Sequence, residues 1–110
     1  MVNSELIMPE GRARSIYCDD PDLQDIVELF IEELPERVAA IEAAHASGQL
    51  ENVRWLAHQL HGSSGGYGFE FLGKAAANVE RLAGREEKEE LSNALAMFRQ
   101  IATAIMEAKP

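Results

Sequence analysis

Four stretches of the chain carry apolar side chains at the three- and four-residue spacing of an amphipathic helix, and none alternates with the period of a strand. Helices with one apolar face each, joined by short loops, bury those faces together as an antiparallel up-down-up-down four-helix bundle. We therefore predict an all-α fold. The predicted core positions are Leu23, Ile26, Val27, Phe30, Ile31, Leu34, Val38, Ile41, Ala44, Val53, Leu56, Ala57, Leu60, Leu72, Ala75, Ala76, Val79, Leu82, Leu91, Leu95, Phe98, Ile101, Ala102 and Ile105.

Capping and helix-breaking residues set the expected bounds. Asp20 is a good N-cap and Pro21 suits the first helical position, so the first core helix should begin there. Pro35 is expected to kink that helix or split it in two, and Ser47-Gly48 to close it. The second helix should begin near Leu50, the third near Phe69 and the fourth near Glu86, after Gly84 has ended the third. Three glycines mark the turn between the second and third helices: Gly65, Gly66 and Gly68.

The domain organisation follows from the length of 110 residues, which suits one hydrophobic core. Residues 1–18 contain Pro9 and Gly11 and show no sustained period, so we expect an N-terminal arm or a short helix there. Residues 19–110 should form the bundle. No large unexplained apolar stripe calls for a dimer, and we expect a monomer.

Charge and cysteine content narrow the possible partners and the compartment. The formal net charge of −9 repels nucleic-acid backbones and anionic membrane surfaces, so neither is an expected partner. Cys18 is the only cysteine, which fits a reducing compartment. We find neither a secretory leader pattern nor the ~18 uninterrupted apolar residues of a membrane span. We therefore expect a cytoplasmic protein.

Two histidines share a face of the second helix that points away from the core. At about 100° per residue, His58 lies about 160° from Leu60, and His61 and Gly62 follow on the side of His58. Glycine inside a helix costs about 1 kcal/mol relative to alanine, so Gly62 favours access over helix strength. His-x-x-His offers two nitrogens to zinc, but the sequence reveals no convincing third or fourth ligand, and we predict no metal site.

The segment Ala57-His-Gln-Leu-His-Gly-Ser-Ser-Gly-Gly-Tyr-Gly-Phe69 resembles the signature of the histidine phosphotransfer (Hpt) domain family, A-H-x-L-K-G-x-x-x-x-x-G. An alanine-rich helix follows it, as in the family. Upstream, Asp20-Pro-Asp-Leu and Glu33-Leu-Pro-Glu36 resemble the first core helix of these domains. The resemblance covers residues 19 to about 108, and it implies a four-helix bundle that carries a phosphoryl group on a histidine.

The resemblance also implies roles for single residues. His58 would be the phosphoacceptor, Gly62 would clear space beside its ring, and Glu80 would hydrogen-bond and orient the imidazole. His61 departs from the family pattern, because Lys usually stands there near the phosphoryl group and histidine is cationic only when protonated. The implied partner-binding patch comprises Gln59, Ser63, Gly66 and Tyr67, with Phe69 if it is exposed.

The implied partners are a response-regulator receiver domain, a hybrid sensor histidine kinase, or both. We find no glycine-rich phosphate loop with its lysine, so we expect a phosphocarrier without kinase activity of its own. The receiver would supply the phosphorylatable aspartate and Mg²⁺, and this chain would bind no cofactor. Two alternatives stay open: a bundle that docks signalling partners without carrying phosphate, and a metal-binding bundle.

Overall fold

The computed structural model describes residues 14–17, 19–85 and 87–108. Helix α1 spans Gln24–Ala46, α2 Leu50–Ser64, α3 Glu70–Arg85 and α4 Lys88–Glu107, and a 3-10 turn at Gly65–Tyr67 leads from α2 towards α3. No strand occurs in the described ranges. The predicted all-α four-helix bundle is confirmed.

Each helix packs against the next along the chain, and α1 also packs against α4, which closes the bundle around one core. The pair α2 and α3 makes the most extensive contact. Gly73 lies at this contact, where a β-carbon would make ordinary van der Waals contact with the Ser64 β-carbon at 3.6 Å and the His61 carbonyl oxygen at 3.7 Å. An ion pair between Arg99 and Glu42 links α4 to α1. The extensive contact between α2 and α3 therefore holds in place the helix that carries His58 and His61.

Helix α1 begins later than the sequence indicated. Asp20 caps a turn ahead of the helix: its Oδ1 accepts from the Asp22 N–H at 2.9 Å, and its carbonyl accepts from the Leu23 and Gln24 N–H groups. Pro35 lies inside the continuous helix and does not split it. Proline removes one backbone donor, but burial of Leu34 and Val38 on either side holds the helix together.

Ile26 is a correction to the predicted core, because its side chain is 47% exposed. The buried stripe of α1 instead starts at Val27, and Ile26 lies about 100° round the helix from it, at the edge of the stripe. Leu23 and Leu56 are half-buried rather than fully enclosed. The other predicted core positions are buried.

Glycines end α1 as expected but do not end α3. Gly48, with φ of 72°, follows the end of α1, and Gly68, with φ of 86°, follows the 3-10 turn. Both adopt the left-handed conformation that side chains disfavour. Helix α3 runs through Gly84 to Arg85, because burial of Leu82 and Ala83 outweighs the helix penalty of one glycine. Helix α4 begins at Lys88, and Glu86 lies outside the described residues.

The end of the N-terminal segment packs against the turn between α2 and α3. The buried Ser15 hydroxyl donates to the Tyr67 carbonyl oxygen at 2.6 Å, and the Ile16 N–H donates to the Gly68 carbonyl oxygen at 3.2 Å. Residues 14–17 form turns rather than a helix. Most of the predicted arm, residues 1–13 and Cys18, lies outside the described residues. The described part nevertheless fixes where the arm meets the bundle.

Among the described residues, none of the helices has the length and apolar content required to span a bilayer.

Candidate functional site

His58 and His61 project from the face of α2 opposite the core. Their neighbours Ala57 and Leu60 are 0% and 1% exposed, whereas the His58 and His61 side chains are 60% and 50% exposed. Their rings meet edge to face with centroids 6.3 Å apart. The predicted orientation of His58 away from the core is confirmed, and a partner has open access to both rings.

Glu80 on α3 joins the two histidines. The Nδ1 of His58 lies 2.9 Å from Glu80 Oε2, and the Nδ1 of His61 lies 3.1 Å from Oε1. An ionised carboxylate only accepts hydrogen bonds, so both Nδ1 atoms carry hydrogen in this arrangement. The contact of Glu80 with His58 was predicted, and the contact with His61 was not. One carboxylate thus fixes the tautomer of both rings.

The environment of Glu80 favours its ionised form. Its side chain is 24% exposed. Partial burial raises the pKa of this carboxyl, but the hydrogen bonds and positive charge of His58 and His61 together lower it by more, so the pKa lies below its ordinary value. Glu80 is therefore a negative charge beside His58 at neutral pH.

Trp55 stands beside His58, a neighbour that the sequence analysis missed. Its side chain is 58% exposed, and its ring lies nearly parallel to the His58 ring, at an interplanar angle of 21° and a centroid distance of 6.4 Å. The signal was available, because Trp55 precedes His58 by three residues and so shares its helix face. A large exposed aromatic next to a functional group suits a docking surface.

Three arginines lie in the groove between α2 and α3 that borders the histidines. Arg54, Arg81 and Arg85 line it together with His61 and Glu80, and Arg54 also lines the neighbouring groove beside His58 and Trp55. Arg54 forms an exposed ion pair with Glu51 at 3.3 Å. The groove beside His61 therefore has three arginines and one glutamate in a chain of net charge −9, whereas the groove beside His58 has Arg54 together with Glu51 and Glu80.

Gly62 has no packing partner that would explain its lack of a side chain. A β-carbon at residue 62 would meet nothing within 4 Å, and the same is true at Gly66. Both residues are exposed. The space beside Gly62 is therefore open to a partner, as the clearance hypothesis requires.

The remaining predicted partner residues do not all face the His58 side. Gln59 borders a different groove, between α1 and α2, with Glu33 and Arg37. The Ser63 hydroxyl is shielded from solvent and has no hydrogen-bond partner within the described part of the chain. Tyr67 is half-buried and stacks on Phe30 with ring centroids 4.7 Å apart.

Phe69 was predicted to belong to the partner-binding patch only if it was exposed, and its side chain is 1% exposed, so it is not part of that patch. It belongs to the core, where its ring stacks on Phe30.

One group of metal-binding side chains occurs in the described ranges. His58, His61 and Glu80 each offer one ligand atom, and these atoms lie within 4.8 Å of one another. The Glu42-x-x-His45 spacing, which di-iron bundles use twice, contributes no second cluster there, and Glu42 pairs with Arg99.

Comparison with protein families assigns most of the chain. The family model described as Hpt domain matches residues 25–108. The chain belongs to the Hpt domain family. Hpt domains act in histidine phosphotransfer within phosphorelays and interact with receiver domains and kinases. Neither the curated proteins nor the solved structures gave a significant match. The match places this Hpt domain in phosphorelay signalling, and its two-histidine cluster lies inside the matched range.

Proposed function

We propose that this Hpt domain accepts a phosphoryl group on His58 from the aspartyl phosphate of a receiver domain and passes it to the aspartate of another receiver. One observation carries the proposal: an exposed imidazole has its Nδ1 held 2.9 Å from Glu80 Oε2, so Nε2 is directed as the nucleophile. His61, Gly62 and Glu80 assist it.

In the forward step, the Nε2 lone pair of His58 attacks the phosphorus of the aspartyl phosphate. A nitrogen–phosphorus bond forms, the bond from phosphorus to the aspartate oxygen breaks, and the aspartate leaves as a carboxylate. The imidazole ring gains positive charge, which the Glu80 carboxylate stabilises through Nδ1–H. In the second step a carboxylate oxygen of another aspartate attacks the phosphorus, the nitrogen–phosphorus bond breaks, and His58 returns to its neutral form, so neither step needs a further reactant.

Charge and shape around His58 suit an acidic partner site. A receiver phosphorylation site gathers carboxylates and phosphate oxygens, and Arg54, with Arg81 and Arg85 beyond it, offers guanidinium groups close by. Protonated His61 would add a further positive charge in place of the usual Lys. Trp55 supplies flat apolar contact area, and the open space at Gly62 lets the partner reach the ring.

The partner completes the site. Phosphoryl transfer depends mainly on positioning and charge neutralisation, and we expect the receiver to bring Mg²⁺ and a lysine to the phosphoryl oxygens. On this proposal the chain is a cytoplasmic monomer that meets receivers or hybrid sensor kinases transiently, through an interface below about 1,200 Å² in total. It carries phosphate without kinase activity of its own.

The test is transfer from a phosphorylated receiver in the presence of Mg²⁺ to the wild type, His58→Gln and His45→Gln. His45 is the remaining histidine and lies in the last turn of α1, so His45→Gln controls for the loss of a histidine elsewhere in the chain. We expect acid-labile, base-stable label on the wild type and His45→Gln, and none on His58→Gln. Absence of label from the wild type across several receivers that bind it would favour the adaptor alternative.

A further inference from the structure

The cluster of His58, His61 and Glu80 has the composition of an open zinc site. Two imidazole nitrogens and one carboxylate oxygen are the protein ligands of several catalytic zinc ions, which keep a fourth position for water. Two ligands lie one turn apart on α2, and Glu80 comes from α3, 19 residues beyond His61. The sequence alone reveals no convincing third or fourth ligand, and the packing of α3 on α2 supplies a third.

The spacing of the ligand atoms is close to what a metal requires. Ligands at about 2.0–2.1 Å from a tetrahedral zinc ion lie roughly 3.3 Å from one another. The Nδ1 atoms of His58 and His61 lie 2.9 and 3.1 Å from the two different oxygens of Glu80, close to that value. Taken with one ligand atom from each residue, the three atoms lie within 4.8 Å of one another, so the exposed side chains must draw together slightly around an ion. A metal ion would take the place of the two hydrogens now shared with Glu80. Both histidine side chains are half exposed or more, so the ion has an open approach.

We propose that His58, His61 and Glu80 bind a divalent transition-metal ion of the zinc type, and that the bound ion prevents phosphorylation of His58. The inhibitory part rests on the function proposed above. The metal-binding part stands on the three side chains alone.

Inhibition follows from the tautomer that a metal imposes. Coordination through Nδ1 uses the lone pair of that nitrogen, so the single hydrogen of a neutral imidazole moves to Nε2. The lone pair that would attack phosphorus is then tied up in an N–H bond. The metal also takes up the Glu80 carboxylate, which no longer stabilises positive charge on the ring. The ion therefore blocks the reaction without covering Nε2.

His61 distinguishes this chain from the usual pattern of its family, which has Lys at that position. A lysine ammonium donates hydrogen bonds and offers no lone pair to a metal. His61→Lys therefore removes one ligand and restores the usual residue, which makes it the most informative variant. His45→Gln is the matched control, since it removes a histidine outside the cluster.

Zinc affinity is the first measurement, made by titrating zinc chloride into the full chain in competition with a chromophoric chelator. We expect one zinc per chain for the wild type and His45→Gln. His61→Lys and Glu80→Gln should bind more than ~10-fold more weakly, since losing even an outer-sphere partner of a metal ligand costs 10- to 100-fold. Equal affinity in the wild type and His61→Lys, or no binding by the wild type, would overturn the site.

The second measurement reads the His58 tautomer by ¹⁵N NMR of the imidazole, with and without zinc. We expect the hydrogen on Nδ1 without zinc and on Nε2 with it. The rate of transfer from the phosphorylated receiver is measured in parallel for the wild type and His61→Lys, with and without zinc. The rate of each protein with zinc is divided by its own rate without zinc, because zinc that acts on the receiver would slow both proteins equally. Zinc should slow the wild type by a larger factor than His61→Lys.

A zinc-bound His58 that keeps its Nδ1 hydrogen, or equal slowing of both proteins, would overturn the inhibitory part. A wild type that takes no label even without zinc would refute the phosphotransfer proposal instead, and the titration and NMR would still decide the metal site.

Discussion

A β-carbon at Gly68 would overlap the hydroxyl of Ser15. That hydroxyl is already engaged, donating to the Tyr67 carbonyl oxygen at 2.6 Å and accepting from the Tyr17 N–H at 3.0 Å. The backbone of Gly68 also has φ of 86°, where a side chain is strained. The N-terminal segment and the turn after α2 therefore fit together only if residue 68 is glycine.

Gly68→Ala should lower the free energy of unfolding by more than the ~1–2 kcal/mol that a left-handed side-chain residue costs, since the overlap with Ser15 adds to it. Urea denaturation measures the change. Gly66→Ala is the control, because a β-carbon there meets nothing within 4 Å, and its effect should be small. Adding Ser15→Gly to Gly68→Ala should relieve the part of the loss that comes from the Ser15 hydroxyl, while the contacts at 3.0 Å with Ile16 remain. Strict additivity of the two changes would contradict the overlap.

Gly62 should show opposite effects on stability and function. Gly62→Ala adds a better helix former at an open position, so the free energy of unfolding should rise by up to about 1 kcal/mol. A side chain there would stand between His58 and the receiver, so phosphotransfer should fall from Gly to Ala to Gln. Urea denaturation measures the free energy of unfolding, and the uptake of label from the receiver measures phosphotransfer. A Gly62→Gln variant with the phosphotransfer rate of the wild type would contradict the hypothesis that Gly62 leaves space for the partner beside His58.

Arg54→Gln should slow transfer from the receiver, because a positive charge beside His58 is lost. The effect should shrink at high salt, where the attraction between exposed charges is screened. Lys88→Gln makes the same change of net charge at the exposed start of α4 and serves as the control. The test is to measure the transfer rate constants of both variants at low and at high salt. Equal slowing by the two variants would mean that net charge, and not Arg54, sets the rate.

Glu80→Gln should disturb the tautomers of the two histidines. A glutamine amide replaces one of the two carboxylate oxygens with an NH2 donor, so one of the two Nδ1–H groups would face a donor in place of its acceptor. The loss of negative charge also removes stabilisation of the phosphorylated ring. We expect transfer to slow by at least about 10-fold, the lower end of what partners that orient histidine ligands contribute. Unchanged ¹⁵N shifts at His58 and an unchanged rate would rule out the orienting role.

Helical periodicity predicted the fold because each core helix keeps a single apolar stripe along its length. It placed Ile26 wrongly, since spacing alone does not say how wide the buried part of a stripe is. Of the two effects expected of Pro35, the split does not occur, because packing on both sides of the proline maintains α1. Local patterns carry no information on tertiary contacts of this kind.

The site was predicted in part. The resemblance to Hpt domains indicated that Glu80 would meet His58, but the second contact with His61 depends on the rotation of α3 against α2. The tether from Ser15 to Tyr67 joins residues 52 apart, which no local pattern connects. Trp55 and Arg54 could have been found, since both lie one turn before His58 on the same face.

The chain contains a single tryptophan, and that tryptophan lies against the phosphoacceptor histidine we propose. Its indole emission therefore comes from one place on the surface. Protonation of the neighbouring imidazole, attachment of a phosphoryl group, capture of an ion or arrival of a receiver would each alter the surroundings of that one fluorophore. The unlabelled protein thus contains its own optical reporter, through which the encounter, the chemistry and the release can be timed separately in a stopped-flow instrument.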